Sequence, residues 1–173
     1  RGRKVARSGA QIDINLERPK SLGTVRLRDA NPVSHPAIDP NFLSSPQDIQ
    51  ELVTAVKDMR IVMQQPQIAK YLTGEIGAWE GAQSDEEIVA AVRQTAYTGH
   101  HPCGTSRMGH DNYSGAVLDS QLRVRGVHGL RVCDAAAMPG QITGNLYATV
   151  VAMAEKAADM IAGKPPLWDS EDV

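Results

Sequence analysis

The stretch TGHHPCGTSRMG, residues 98–109, sets two histidines, a cysteine and a proline among glycines and hydroxyl side chains. Those residue types support metal ligation, thiol nucleophilicity or acid–base work, and also nothing more than a turn. For zinc, His100, His101, Cys103 and His110 are the available ligands. Zinc sites draw on pairs at helix or knuckle spacing with four ligands converging. Adjacent His100 and His101 would point apart in an extended loop, and no C-x-x-C or H-E-x-x-H is present. A cysteine nucleophile needs a nearby base and a lowered pKa. Cys103 has His101 two residues away, yet the local signatures of cysteine hydrolases are absent, so it reads as a small apolar filler. Cys133, between Val132 and Asp134, reads as core.

The acid–base reading rests on His101. It follows a helix end, is stiffened by Pro102, and precedes Gly104-Thr105-Ser106, which can hold a tight turn. A positioned base requires that rigidity. Asn145, after Gly144 and at the start of a long Ala-rich run, reads as a helix N-cap and, compatibly, as a donor at a site. A helix start also carries unpaired N–H groups and a positive dipole end, a seat for developing negative charge. Asp134 closes a strand-like run, where cofactor groups sit in α/β folds. The residues alone leave these alternatives open.

The elements that must position them are legible in outline. Alternating Ile12, Ile14, Leu16 and Val25, Leu27 about a Pro-Lys-Ser-Leu-Gly break predict two half-buried strands. The proline-rich DANPVSHPAIDPNFLSSP predicts an ordered irregular connection. A helix begins after Ser45, with Pro46 first and Asp48 in its first turn, and Ile49, Leu52, Val53, Val56 and Met59 line one face. Pro66 marks a point beyond its end. Ser84 and Glu87 have capping-box spacing for a second helix, which delivers the chain into the His loop. Strand-like runs follow at Val117–Leu118, Leu122–Val124 and Leu130–Cys133, with turns at Gly126 and Gly129. LYATVVAMAEKAADMIA then predicts a buried helix stopped at Gly163.

The chain has 173 residues, enough for a sizeable core. With a formal net charge of −2 there is no reason to expect nucleic acid, and the basic Arg1, Arg3, Lys4, Arg7 read as a solvated end. Two cysteines argue against a disulfide framework and fit a reducing, cytoplasmic compartment. No apolar run reaches the roughly 18 residues of a membrane span. The first residue is not Met, and the chain is expected to be a portion of something longer.

HHPCGTSRMG, AVLDSQLRVRGVHGLRVCDAAAMP, GNLYATVVAMAEKAADMI and the upstream RPKSLGTVRLRDANPVSHPAIDPNFLSSPQDI occur in the order of corresponding blocks in the glucose–methanol–choline (GMC) flavoprotein oxidoreductases, which the chain resembles over residues 12–163. The resemblance implies an α+β fold. An antiparallel sheet with flanking helices would form the substrate-binding domain, followed by the final strand and helix of a doubly wound FAD-binding domain. Residues 1–115 would be the substrate-binding portion with the His loop, 116–163 the segment completing the FAD-binding domain, and 164–173 a tail. It implies oxidation of a primary alcohol to an aldehyde, with His101 taking the hydroxyl proton and the hydride passing to flavin N5. Asn145 would hydrogen-bond the substrate oxygen, as in the His/Asn subgroup that includes choline-oxidising members. Asp134 and Ala135 would lie near the FAD diphosphate, and Asn145 and Leu146 at the pyrimidine edge. His100 stands where an aromatic is common, Cys103 where Val, Ser or Ala is usual, and Tyr147-Ala148-Thr149 where Asn-Ala-Pro often occurs.

No G-x-G-x-x-G is present to hold a dinucleotide diphosphate. The expected partners are therefore a small-molecule alcohol and an N-terminal FAD-binding region of the same protein. The rival expectation is a non-catalytic ligand- or partner-binding module that keeps the fold. On its own the chain is expected to bind FAD poorly and turn over nothing; flavin absorbance of the purified chain measures this, and stoichiometric tight FAD overturns it.

Overall fold

The computed structural model describes residues 9–165. The basic cluster Arg1, Arg3, Lys4, Arg7 and all but the first two residues of the 164–173 tail lie outside the described residues. Helices and one small antiparallel two-stranded sheet make up the fold. Two compact units divide it, one from residues 9–16 and 43–97, the other from 17–42 and 98–165.

The first unit is helical. Ser45 takes the extended N-cap conformation, Pro46 opens α1 (Pro46–Met63), and Asp48 sits in its first turn. The helix ends three residues before Pro66, which itself opens the short α2 (Pro66–Ala69). After a 3-10 turn over Gly77–Trp79 comes α3 (Asp85–Thr95). Val53 and Val56 of α1 meet Ile88 and Val92 of α3 in one core, covered by Ile14, Leu43, Ile49, Leu52, Trp79 and Val89. Spacings of three and four bring each pair onto one helix face. The capping box at α3 is complete: Ser84 Oγ accepts from Glu87 N–H at 3.3 Å, and Glu87 Oε2 accepts from the N–H groups of Ser84 and Gln83 at 2.9 and 2.8 Å. Beyond α3, Tyr97 Oη and Gln11 Nε2 both donate to Asp13 Oδ1 at 2.7 Å, tying the start of the described chain to the end of the helix.

The second unit departs from the sequence expectation. Residues 10–16 form no strand; β1 (Thr24–Arg26) pairs instead with β2 (Ala37–Asp39), drawn from the proline-rich connection. Pro36 and Pro40 flank β2 rather than interrupt it, so no ladder donor is lost. Neither strand is half-buried, since every residue of both is exposed. Gly23 permits the hairpin's close approach: a Cβ there would lie 2.2 Å from Asp39 O.

The runs between 117 and 133 form isolated bridges rather than strands, Met108↔Leu118, Leu118↔Val124 and Arg123↔Arg131. Turns at Gly126 and Gly129, both with φ +75°, leave too few residues for a ladder. Leu118, Leu122, Ala137 and Ala157 form the core of this unit, with Met108, Val124, Val132, Cys133, Met153 and Met160 around it. The final helix, α4 (Tyr147–Ile161), stops before Gly163 at φ +67°. It is not buried: only Ala157 is enclosed, while Tyr147 and Ile161 stay 79% and 65% exposed. Its Ala-rich composition predicts burial, but Glu155 and Lys156 stay exposed and one packed face seats it here. Among the described residues no helix is long and apolar enough to cross a membrane.

Ser84→Ala removes one arm of the α3 box and is expected to cost about 1 kcal/mol in denaturant unfolding. The backbone N–H groups of Ser84 and Gln83 hold the Glu87 carboxyl below its ordinary 4.5. A lowered carboxyl stabilises above that ordinary value and loses the contribution as pH falls through the lowered one. Glu87→Gln is therefore expected to flatten the acid limb of the stability curve, and an unchanged limb would contradict this.

Candidate active site

The loop that carries His101 is fixed from both sides by backbone hydrogen bonds. On one side lies the 3-10 turn Ala135–Ala137, opened by Asp134, whose Oδ1 accepts from Ala136 N–H at 2.7 Å. Its three carbonyls accept from the loop in succession. Gly104 N–H donates to Ala135 O at 3.1 Å, Ser106 N–H to Ala136 O at 2.9 Å, and Met108 N–H to Ala137 O at 2.9 Å. On the other side, Arg107 O accepts from Val117 and Leu118 N–H, and Gly109 N–H donates to Leu118 O. Leu118 is fully buried. The loop is thus a middle strand in function, though too irregular to be one in form.

Within the loop, Gly104 sits at φ +79°, and a Cβ there would come within 3.3 Å of Met138 O. The Arg107 Nε–H closes this turn by donating to Gly104 O at 3.1 Å. His100 is left-handed at φ +60°, a conformation a non-glycine residue adopts only when its surroundings impose it. Its N–H donates to Thr98 Oγ1 at 3.0 Å, which helps to hold that turn. Pro102 restricts His101 in turn to extended backbone. The imidazole is consequently aimed by its neighbours on either side and is half-buried.

Asn145 reaches the same spot from the other end of the unit. The helix cap is Leu146, which is buried, and not Asn145. Gly144, at φ +101°, turns the chain so that the carboxamide stands one residue ahead of the Leu146 cap. Asn145 Nδ2 lies 3.1 Å from His101 Nε2. With the amide donating, the ring nitrogen accepts and the ring proton resides on Nδ1. A side chain able to accept a proton and one able to donate a hydrogen bond therefore converge beside the N-terminus of a 15-residue helix.

Of the other residues singled out, Asp134 and Ala135 belong to the turn that carries the His loop, and Leu146 caps α4 with its side chain turned into the interior. His100 and His110 are both exposed. Among the described residues no group of three or more His, Cys, Asp or Glu is set to hold a metal ion. Cys133 Sγ donates to Met153 O at 3.5 Å and packs against the second core. Gly104, Arg107, Ala136 and Ala137 were not legible as site residues. Gly104, Ala136 and Ala137 act through backbone groups and Arg107 through its carbonyl and its Nε–H, so residue type gave no sign of their part in the site.

The description "GMC oxidoreductase" fits residues 19–154. The mitochondrial choline dehydrogenase of Homo sapiens is 43% identical over 161 residues, covering 93% of this chain and 27% of that protein. An oxygen-dependent choline dehydrogenase of Klebsiella pneumoniae subsp. pneumoniae is 45% identical over 163 residues, covering 94% of this chain and 29% of its own length. Among solved structures, an FAD-dependent oxidoreductase from Chaetomium thermophilum superposes with a TM-score of 0.74 at 33% identity, over 82% of this chain and 24% of that one. The chain spans less than a third of the length of these relatives.

Burial pushes the Cys103 thiol up, against a smaller opposite pull from Arg107. It is therefore expected to stay protonated at neutral pH and to react with a thiol reagent more slowly than free cysteine. Modification of the Cys133→Ser variant followed against pH checks this, and a rate above that of free cysteine at pH 7 refutes it.

Proposed function

The chain belongs to the GMC oxidoreductase family, and on that premise we propose that it is the C-terminal catalytic portion of an FAD-dependent enzyme that oxidises a primary alcohol to an aldehyde. The observation that carries this reading is the 3.1 Å approach of Asn145 Nδ2 to His101 Nε2. An alcohol oxygen entering between them donates its proton toward Nε2 and accepts from Nδ2. As the O–H proton leaves, negative charge grows on oxygen, and the amide N–H and the positive end of α4 stabilise it. Uncharged imidazole is the form able to take that proton. Asn145 holds the substrate oxygen without competing for the proton, because a carboxamide does not titrate. A non-catalytic module would have no use for this convergence.

The residues present fit FAD. Ala135 N–H makes no hydrogen bond among the described residues, and Asp134 stabilises its turn while remaining exposed. That turn offers a backbone donor to a diphosphate oxygen, so Asp134 and Ala135 are assigned beside the diphosphate. Leu146 buries its side chain, leaving backbone at the α4 end, with Asn145, for the pyrimidine edge. Bound FAD supplies the acceptor for the carbon-bound hydrogen and its electron pair.

In this reading residues 1–115 are the substrate-binding portion, 116–163 complete the FAD-binding domain, and 164–173 are a tail. An N-terminal region of the same protein supplies the Gly-rich cofactor loop, which the partial coverage of the relatives supports. Choline is a candidate substrate because relatives at 43% and 45% identity are choline dehydrogenases. Two free cysteines favour a reducing compartment such as the cytoplasm.

In the full-length enzyme, His101→Ala is expected to lower kcat/KM by about 10²- to 10⁴-fold. Asn145→Ala, removing one donor to the developing oxyanion, is expected to lower kcat by about 10²- to 10³-fold. For the unaltered enzyme kcat/KM should fall as pH drops and the imidazole is protonated. A loss under threefold in either variant removes that residue from the chemistry.

A further inference from the structure

At the opposite end of the 117–133 segment from its join with the His loop, two arginines stand directly across an antiparallel bridge, Arg123↔Arg131. Residues so placed share a face with Cβ atoms roughly 4.5–5.5 Å apart, and like charges there destabilise the pair. The turn between them contains Gly126 and Gly129 in left-handed conformation, and residues 123–131 line an open surface cavity of about 320 Å³.

The charges on this wall are not balanced. Arg125 Nη1 donates to Asp111 Oδ1 at 2.5 Å and Nη2 to Gly109 O at 2.6 Å, while its buried Nε has no partner among the described residues. Asp119 is the one carboxylate lining the cavity, and its Oδ1 accepts from the N–H groups of Gln121 and Arg123. Arg131 spends its Nε–H on Gln121 O at 3.1 Å. The Arg123 guanidinium makes no hydrogen bond among the described residues. The Asp119 carboxylate faces the charges of Arg123 and Arg125, and Arg131 and His128 stand on the same wall with no carboxylate of their own among the lining residues.

We propose that this cavity is a binding site for a phosphate group, either inorganic phosphate or a phosphomonoester carried by a small molecule. A phosphate brings a charge of about −1.5 to −2 at pH 7 and three strong acceptor oxygens. Guanidinium forks match those oxygens in geometry as well as charge. The N–H groups of His128 and Gly129, which take no hydrogen bond among the described residues, belong to the same turn and add donors of the kind that line anion-binding loops. The volume leaves room for a group attached to the phosphate. Neither His101 nor Asn145 lines the cavity, so the site is independent of the alcohol chemistry. An anion seated there converts the Arg123–Arg131 repulsion into a shared attraction.

The test is an amide NMR titration of the purified chain with inorganic phosphate, ionic strength being held constant with chloride. Saturable shifts are expected at the amides of residues 123–131, with those of residues 104–109 serving as a control for the fold. Acetate at equal ionic strength should bind at least tenfold more weakly. Glycerol phosphate should bind no more weakly than inorganic phosphate if the ligand is a monoester, and distinctly more weakly if it is the free ion. Arg123→Gln with Arg131→Gln should weaken phosphate at least tenfold. Arg123→Gln alone should raise Tm in dilute chloride and lose that advantage in phosphate, which a purely structural arginine would not do. Non-saturating shifts, shifts scattered over all arginines, or an unchanged affinity in the double variant overturn the proposal.

Discussion

The arrangement rests on three hydrogen bonds, from the N–H groups of Gly104, Ser106 and Met108 to the successive carbonyls of Ala135, Ala136 and Ala137. Backbone polar groups removed from water must find partners, and an irregular loop finds them only where another segment offers acceptors in register. The 3-10 turn does so because Asp134 caps it, and because alanines let the loop come close. His101 lies just before this stitch and Asn145 a short way beyond the turn. Without the stitch, nothing within the unit would oblige the two side chains to share a location.

Glycine and the left-handed residues give the stitch its shape. Gly104 is excluded from carrying a side chain by its φ and by the nearness of Met138 O. His100 accepts an unfavourable backbone conformation while its N–H is held by Thr98. Local strain of this kind, of order 1–3 kcal/mol, persists where surrounding contacts over-determine the backbone. Here it aims an imidazole at a carboxamide. The site pairs an imidazole with a carboxamide ahead of the α4 terminus, and no ion pair among the described residues involves either group. That suits a reaction in which charge is transient and developed on the substrate.

Elsewhere the second unit keeps much apolar surface exposed. Val25, Leu27 and Ile38 of the hairpin and its flanks are exposed, as are Tyr147, Val151 and Ile161 of α4. A two-stranded ribbon has no face of its own to bury and gains stability from what packs on it. The same physics explains why the hairpin pairs β1 with a proline-flanked segment. Pairing was set by the Gly23 approach and by Asn41 Nδ2 donating to Leu22 O at 2.9 Å, not by alternation of apolar residues.

By itself the sequence determined α1, α3 and α4 in outline, the capping box of α3, and which pair of side chains to look for. Ser84 with Glu87, Pro46, and the three-four spacing of Val53, Val56, Ile88 and Val92 act locally, so their outcome is readable without a fold. His101 and Asn145 were marked by their motifs, and Gly163 by its place after the last helix. Only the tertiary structure decided that Asn145 gives up the cap to Leu146 and turns to the histidine. It also decided that the 10–16 run stays unpaired, that the runs after 117 shrink to single bridges, and that α4 packs one face only. Each of these depends on a partner distant in the chain, and no local propensity contains the geometry of a partner that folding has yet to bring near.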